Sequence, residues 1–174
     1  MILVLSCSLN PESNSRLAAE EARRVLELDG REVSYLDLRD APLPLCDGGD
    51  SYSHPHVARV RDLVARAQAI VVATPIYNYS GNAALKNAIE LTGRAWQDKA
   101  VGFLCAAGGA SSYMSIMGLA TCLMLDFRCV IVPRFVYATG DAFADGRIVD
   151  AEVGARIAEL ARFTARLGAM LKPA

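Results

Sequence analysis

Ile2-Leu3-Val4-Leu5-Ser6 is an unbroken apolar run closed by a serine, and Cys7-Ser8-Leu9-Asn10-Pro11-Glu12-Ser13-Asn14-Ser15-Arg16 follows it directly. Past Arg16 the spacing changes, with Ala18, Ala22, Val25 and Leu26 recurring at the helical period. A short run without polar alternation is a strand covered on both faces, as strands of parallel sheets are. The stretch therefore reads strand, small polar loop, helix.

Working outward, the same unit repeats. Strands are expected at 2–6, 32–36, 69–74, 100–106 and 129–132, each a short apolar or β-rich run. Between them lie helical stripes: Val57, Val60, Val64 and Ala67, then Leu85, Ala88, Ile89 and Thr92. The last segment puts Val153, Ile157, Leu160, Ala161, Thr164, Leu167 and Leu171 on one face, opposite Glu152, Arg156, Glu159 and Arg166. Strict alternation of strands and helices makes an α/β three-layer sandwich, and right-handed crossovers leave few topologies. The expected fold is one flavodoxin-like domain over 1–174, with a five-stranded parallel sheet in the order 2-1-3-4-5. In such sheets ligands bind outside the carboxyl ends of the strands, where strand order reverses.

Three loops fall on that edge. In the first, six of the ten residues from Ser6 to Ser15 carry a hydroxyl or an amide. A turn of small polar residues opening a helix is an anion cradle of free N–H groups, hydroxyls and helix dipole, suited to a phosphate monoester. It is neither Gly-x-Gly-x-x-Gly nor Gly-x-x-x-x-Gly-Lys-Ser/Thr, which disfavours a dinucleotide pyrophosphate or a triphosphate held by those routes. The competing reading is a capped helix behind a polar turn. In the second loop, Thr74-Pro75-Ile76-Tyr77-Asn78-Tyr79-Ser80-Gly81-Asn82, Pro75, Ile76 and two tyrosines offer a flat apolar wall and Asn78 offers edge contacts, the mixture a heteroaromatic ring needs. Its alternative is a turn whose tyrosines pack on the core. In the third, Ala106-Ala107-Gly108-Gly109-Ala110-Ser111-Ser112, adjacent glycines allow close backbone approach and N–H groups aimed at charge developing on a reduced ring. The conjunction fits a mononucleotide with a flat ring, FMN before an AMP-like ligand.

At these residues the sequence resembles the flavodoxin-like NAD(P)H-dependent FMN reductase family. That family's first loop, Gly-Ser-x-Arg-x-x-Ser-x-Asn/Ser-Arg, is similar to the segment from Cys7 to Arg16. Its second resembles the run from Pro75 to Gly81 followed by Ala84-Leu85-Lys86-Asn87, and its third resembles Gly108-Gly109. The resemblance implies that Ser8, Ser13, Ser15 and Arg16 hold the FMN phosphate, with Asn10 in the same loop. It implies that Pro75, Ile76, Tyr77 and Asn78 border the ring system, and that Gly108, Gly109, Ala110 and Ser111 face its pyrimidine edge. Two departures stand out: Cys7 replaces the family's glycine and Asn10 its phosphate-binding arginine, which removes a positive charge. The implied activity is hydride transfer from NAD(P)H, a cosubstrate, to FMN, and onward to a flavin, quinone, azo compound or similar small acceptor. No protein acid or base is required. Arg94 and Arg134 could reach a 2′-phosphate, but a solvated surface role is the favoured reading of each. The rival readings are a flavodoxin-type electron carrier and a flavin-free domain of the same fold.

Composition narrows the partners. Eighteen Lys plus Arg against 19 Asp plus Glu give a net charge of −1 and no basic tract, which argues against nucleic acid. The apolar stretch 113–125 falls short of the roughly twenty residues of a membrane span. Met1 to Leu5 lacks the marks of a leader, and five cysteines without a Cys-x-x-Cys pair read as free thiols, so a cytoplasmic location is expected. Cys7 is the thiol whose loop position suggests reactivity. His54-Pro55-His56 has no partner at metal-ligand spacing, and no metal site is expected. A helix over 112–125, carrying Met114, Met117, Leu119, Leu123, Met124 and Leu125, is apolar nearly all round and is expected to be covered by a second subunit in a homodimer or homotetramer. The alternative cover is the chain's own 141–150 loop.

Overall fold

The computed structural model describes residues 1–171. Strand β1 (Ile2–Ser6) is wholly buried and lies between β2 (Val33–Asp37) and β3 (Ala69–Tyr77), parallel to both. Beyond β3 comes β5 (Ala100–Ala107), after the two-residue β4 (Ser80–Gly81). The fifth position is shared by β6 (Val130–Ile131) and β7 (Val136–Thr139), both parallel to β5. The order is thus β2-β1-β3-β5-β6/β7, the expected 2-1-3-4-5 with a broken last strand. The break is chemical: Pro133 brings no N–H to the ladder and Arg134 sits at φ 58, so pairing stops for four residues and resumes. Reading a strand only over 129–132 misses β7.

Helices α1 (Asn14–Leu28) and α5 (Ala151–Met170) pack together on one face of the sheet. The other face carries α2 (Pro55–Arg66), α3 (Ala83–Thr92) and α4 (Met117–Phe127). Each helix starts where its residues can cap it. Ser13, Asn82 and Asp150 accept N–H groups of the first turns of α1, α3 and α5, and His54 caps α2 through Nδ1 ahead of Pro55. The stripe expected on α5 is the buried one from Val153 to Thr164, and it lies on β3 and β5.

Two expectations change. The helix expected over 112–125 begins later, at Met117, behind a 3₁₀ turn Ala110–Ser112. The 18-residue stretch Ala110–Phe127 has a mean hydropathy of 1.2, but the 11 residues of α4 rise only about 16 Å, half of a bilayer's roughly 30 Å. Nor does the 141–150 loop cover α4. It forms a hairpin, β8 (Phe143–Ala144) with β9 (Arg147–Ile148), that rests on α1 and α5 at the opposite face.

Candidate functional site

The loops after β1, β3 and β5 meet at the carboxyl edge of the sheet, beside the switch point between β1 and β3, and hydrogen bonds hold them together. Cys7 N–H donates to Ala73 O at 2.9 Å, fixing the first loop to β3. Asn82, at the start of α3, donates through Nδ2 to Cys7 O at 2.7 Å, while its Oδ1 accepts Leu85 N–H at 3.1 Å and lies 3.2 Å from Thr74 Oγ1. Both Thr74 and Asn82 are buried. One amide therefore caps a helix and ties two loops together. Sequence reading took Asn82 only as the end of the second loop; its place as an Asn directly before a helical period was the available signal.

The first loop contains both readings at once. Ser13 is the helix cap, and its Oγ also lies 2.8 Å from Ser15 Oγ. Ser8 Oγ accepts Asn10 N–H at 3.2 Å, which leaves its own proton free to donate. Ser8, Ser13 and Ser15 are buried, and among the described residues the N–H groups of Asn14 and Ser15 have no protein acceptor. Asn10 is exposed and closes an Asx turn onto Glu12 N–H at 3.0 Å. Arg16 is turned to other partners: its guanidinium spans Glu20 at 2.8 Å and Pro11 O at 3.1 Å. The cradle thus offers hydroxyl and N–H dipoles, and its nearest cation straps the turn to α1.

Cys7 fills the position where a glycine was expected without strain, since its φ is not positive and its side chain is fully buried. Burial, assisted by the nearby Asp37 carboxylate, holds its thiol well above the ordinary thiol pKa. The expectation of a reactive Cys7 is thereby corrected: a thiol kept protonated at neutral pH is a poor nucleophile. Burial likewise pushes Cys105 up to about 12 and Cys129 up to about 11.

In the second loop Pro75, Ile76 and Tyr77 belong to β3, which runs past Thr74 and turns into β4 through Asn78 (φ 49) and Tyr79 (φ 62). Two positive φ values in a two-residue turn match the twist of a hairpin. Ile76 is buried, whereas Tyr77 and Tyr79 are 55% and 65% exposed and stand out from the sheet edge rather than packing on the core. Gly81 packs against α4: a Cβ there would lie 2.6 Å from Leu119 Cδ1, so that side chain would have to move to admit one.

The third loop is held by two phenols. Tyr79 Oη donates to Ser111 O at 3.1 Å, and Tyr137 Oη, from β7, donates to Gly109 O and lies 2.6 Å from Ser112 Oγ. Tyr137 escaped sequence reading because its strand did. Gly108 and Gly109 have no positive φ, so left-handed backbone is not what they supply; a Cβ on either would project into open space. That free space, the buried hydroxyls and the unpaired N–H groups at the start of α1 fit FMN.

Beside the site a cavity of about 520 Å³ is lined by Leu9, Leu43, Leu45 and Ala84, with Arg39 at its rim paired to Asp37. A larger concavity, about 670 Å³, lies elsewhere, between α1 and the β8–β9 hairpin, and touches none of the three loops. Arg94 stands in a 3₁₀ turn feeding the amino end of β5, and Arg134 at the break in the last strand. Neither belongs to the carboxyl-edge loops.

Comparison with known proteins bears on the family and the fold. The chain is 34% identical over 145 residues to an NAD(P)H-dependent FAD/FMN reductase of Geobacillus thermodenitrificans, covering 81% of this chain and 77% of the relative. It is 30% identical over 154 residues to an NADPH:quinone oxidoreductase of Arabidopsis thaliana, covering 79% and 77%. An oxidoreductase from Corynebacterium diphtheriae superposes with a TM-score of 0.77 at 22% identity over 97% of this chain and 96% of the other, which speaks for the fold. An archaeal flavodoxin does so at 0.67 and 12%, over 97% and 99%. The family model for NADPH-dependent FMN reductase matches residues 1–144, the span that contains all three loops and both phenols. The chain belongs to the NADPH-dependent FMN reductase family.

Proposed function

We propose that this chain takes hydride from NAD(P)H on an FMN bound across the three carboxyl-edge loops and passes the electrons to a small acceptor, a flavin or quinone before an azo compound. The observation that carries the reading is the convergence of the loops, joined directly by the Asn82 to Cys7 and Tyr79 to Ser111 hydrogen bonds. FMN, when bound, supplies hydride acceptance and electron donation, and the protein supplies placement. Ser8, Ser15 and the free N–H groups at the start of α1 would hold the phosphate, and Ser13 would shape the cradle as the cap. Asn10 and Arg16 would shape it from outside, because Asn10 is turned onto Glu12 and Arg16 onto Glu20 and Pro11. Ile76, Tyr77 and Asn78 would border the ring, with Pro75 behind them, and the run from Gly108 to Ser111 would face its polar edge.

Two further properties belong to the same reading. The exposed apolar residues Tyr113, Met114, Met117, Met124 and Leu125 support a homodimer closed through α4. Five free cysteines support a reducing, cytoplasmic setting. The placement of FMN is tested by titrating the purified protein with FMN and following quenching of flavin fluorescence, beside the variant Gly109→Leu. Saturable quenching by the parent protein and its loss in the variant are expected; equal quenching in both would remove the third loop from the site.

A further inference from the structure

We propose that Tyr137 is a positioning residue that sets the direction of the third loop's N–H groups, with Tyr79 as its second anchor. The phenol is itself held in place. Tyr113 packs edge-on against the Tyr137 ring at 5.6 Å and lies against Phe135 at 5.0 Å, and Tyr137 is half-buried as the second residue of β7. Its hydroxyl proton goes to Gly109 O, so the Ser112 hydroxyl is the donor in the 2.6 Å contact between them. Ser112 Oγ, Tyr137 Oη and Gly109 O thus form a chain in which each proton has one acceptor.

The consequence follows from the planarity of the peptide. In a trans peptide the C=O of one residue and the N–H of the next point in opposite directions. Pinning Gly109 O to Tyr137 therefore turns Ala110 N–H away from β7, and pinning Ser111 O to Tyr79 does the same for Ser112 N–H relative to the hairpin. Gly108 and Gly109 have no side chains to restrict the loop, so the peptide planes ahead of the 3₁₀ turn Ala110–Ser112 depend on contacts from outside it. The sheet in this way presets donors in a glycine loop that cannot preset them itself, which is what stabilisation of developing negative charge requires. The effect on flavin rests on the placement of FMN proposed above; the orientation of the loop does not.

Tyr137→Phe keeps the ring packing and removes the hydroxyl. In the protein without flavin, the backbone order parameter of the Ala110 N–H should fall in Tyr137→Phe from about 0.85 to below about 0.6 while the urea midpoint stays near that of the parent. Ser112→Ala, which leaves the bond to Gly109 in place, should change it little. With FMN present, Tyr137→Phe should weaken binding of the reduced form relative to the oxidised form about tenfold, which a two-electron couple reads as a potential about 30 mV lower. An unchanged Ala110 order parameter in Tyr137→Phe overturns the proposal whatever flavin does. A lower order parameter with an unchanged potential also overturns the positioning role, leaving a purely structural bond. If the parent protein binds no FMN, the order parameter still decides the orientation of the loop, and the functional reading alone fails.

Discussion

Asn82 makes more of the site than any residue of the three polar loops that flank it. Its amide caps α3, lies against Thr74 and holds the carbonyl of Cys7, all without solvent. Asn82→Ala removes a cap worth about 1 kcal/mol and strands a buried carbonyl at about 1–3 kcal/mol. Urea denaturation should show a loss of about 2–4 kcal/mol, with FMN affinity falling in parallel because the first and second loops come apart. A loss too small to measure would mean that the two loops hold their relation by packing alone. Neighbouring Cys7 shows the reverse case. A thiol in a polar loop suggests chemistry, yet the alternation of β1 carries on through Ser6 and turns Cys7 inward, where it is wholly buried and remains a small apolar filler.

Among the elements, α5 was the most legible in the sequence, since its stripe from Val153 to Thr164 follows one period and faces one surface. Its two glycines separate packing from propensity. A Cβ on Gly168 would meet Ala69 Cβ at 2.6 Å and Gln68 O at 2.8 Å, whereas one on Gly154 would meet nothing within 4 Å. Gly168→Ala should cost about 1–3 kcal/mol through overpacking, and Gly154→Ala should stabilise by about 0.5–1 kcal/mol through helix propensity. Thermal melts of both variants check the opposite signs, and equal effects would contradict the packing of α5 on β3. The last strand was half legible for a local reason: Val130–Ile131 reads as a strand, but Pro133 and Arg134 erase the period before β7 resumes, and Tyr137 disappears with it. Pro75, Ile76 and Tyr77 read as a loop because proline and the following Asn78 signal a turn, whereas Pro75 pairs with Ala106 of β5 and hairpin pairing with β4 extends the strand over Ile76 and Tyr77. The hydroxyls and glycines of the site were readable as residue types. The bonds that tie the loops together were not, because those from Asn82 to Cys7, Tyr79 to Ser111 and Tyr137 to Gly109 join residues far apart in the chain.

For the whole molecule, burial is lopsided. The sheet is covered on both faces, yet α4 and the turn before it leave Tyr113, Met114, Met117, Met124 and Leu125 exposed beside the third loop, and the β8–β9 hairpin lies on the opposite face. Met117 and Met124 are seven residues apart, on one stripe of α4. Sedimentation should find a dimer for the parent protein and a monomer for the double variant Met117→Glu, Met124→Glu; a monomeric parent would remove α4 as an interface. The central claim is tested most directly by an anaerobic titration of the FMN-loaded protein with NADPH, followed in the visible flavin absorption. Bleaching of the protein-bound band on adding NADPH, with colour restored by a quinone, is the result the account predicts. A bound flavin that keeps its colour in excess NADPH and NADH would contradict it and mark the chain as a carrier that nicotinamide does not reduce.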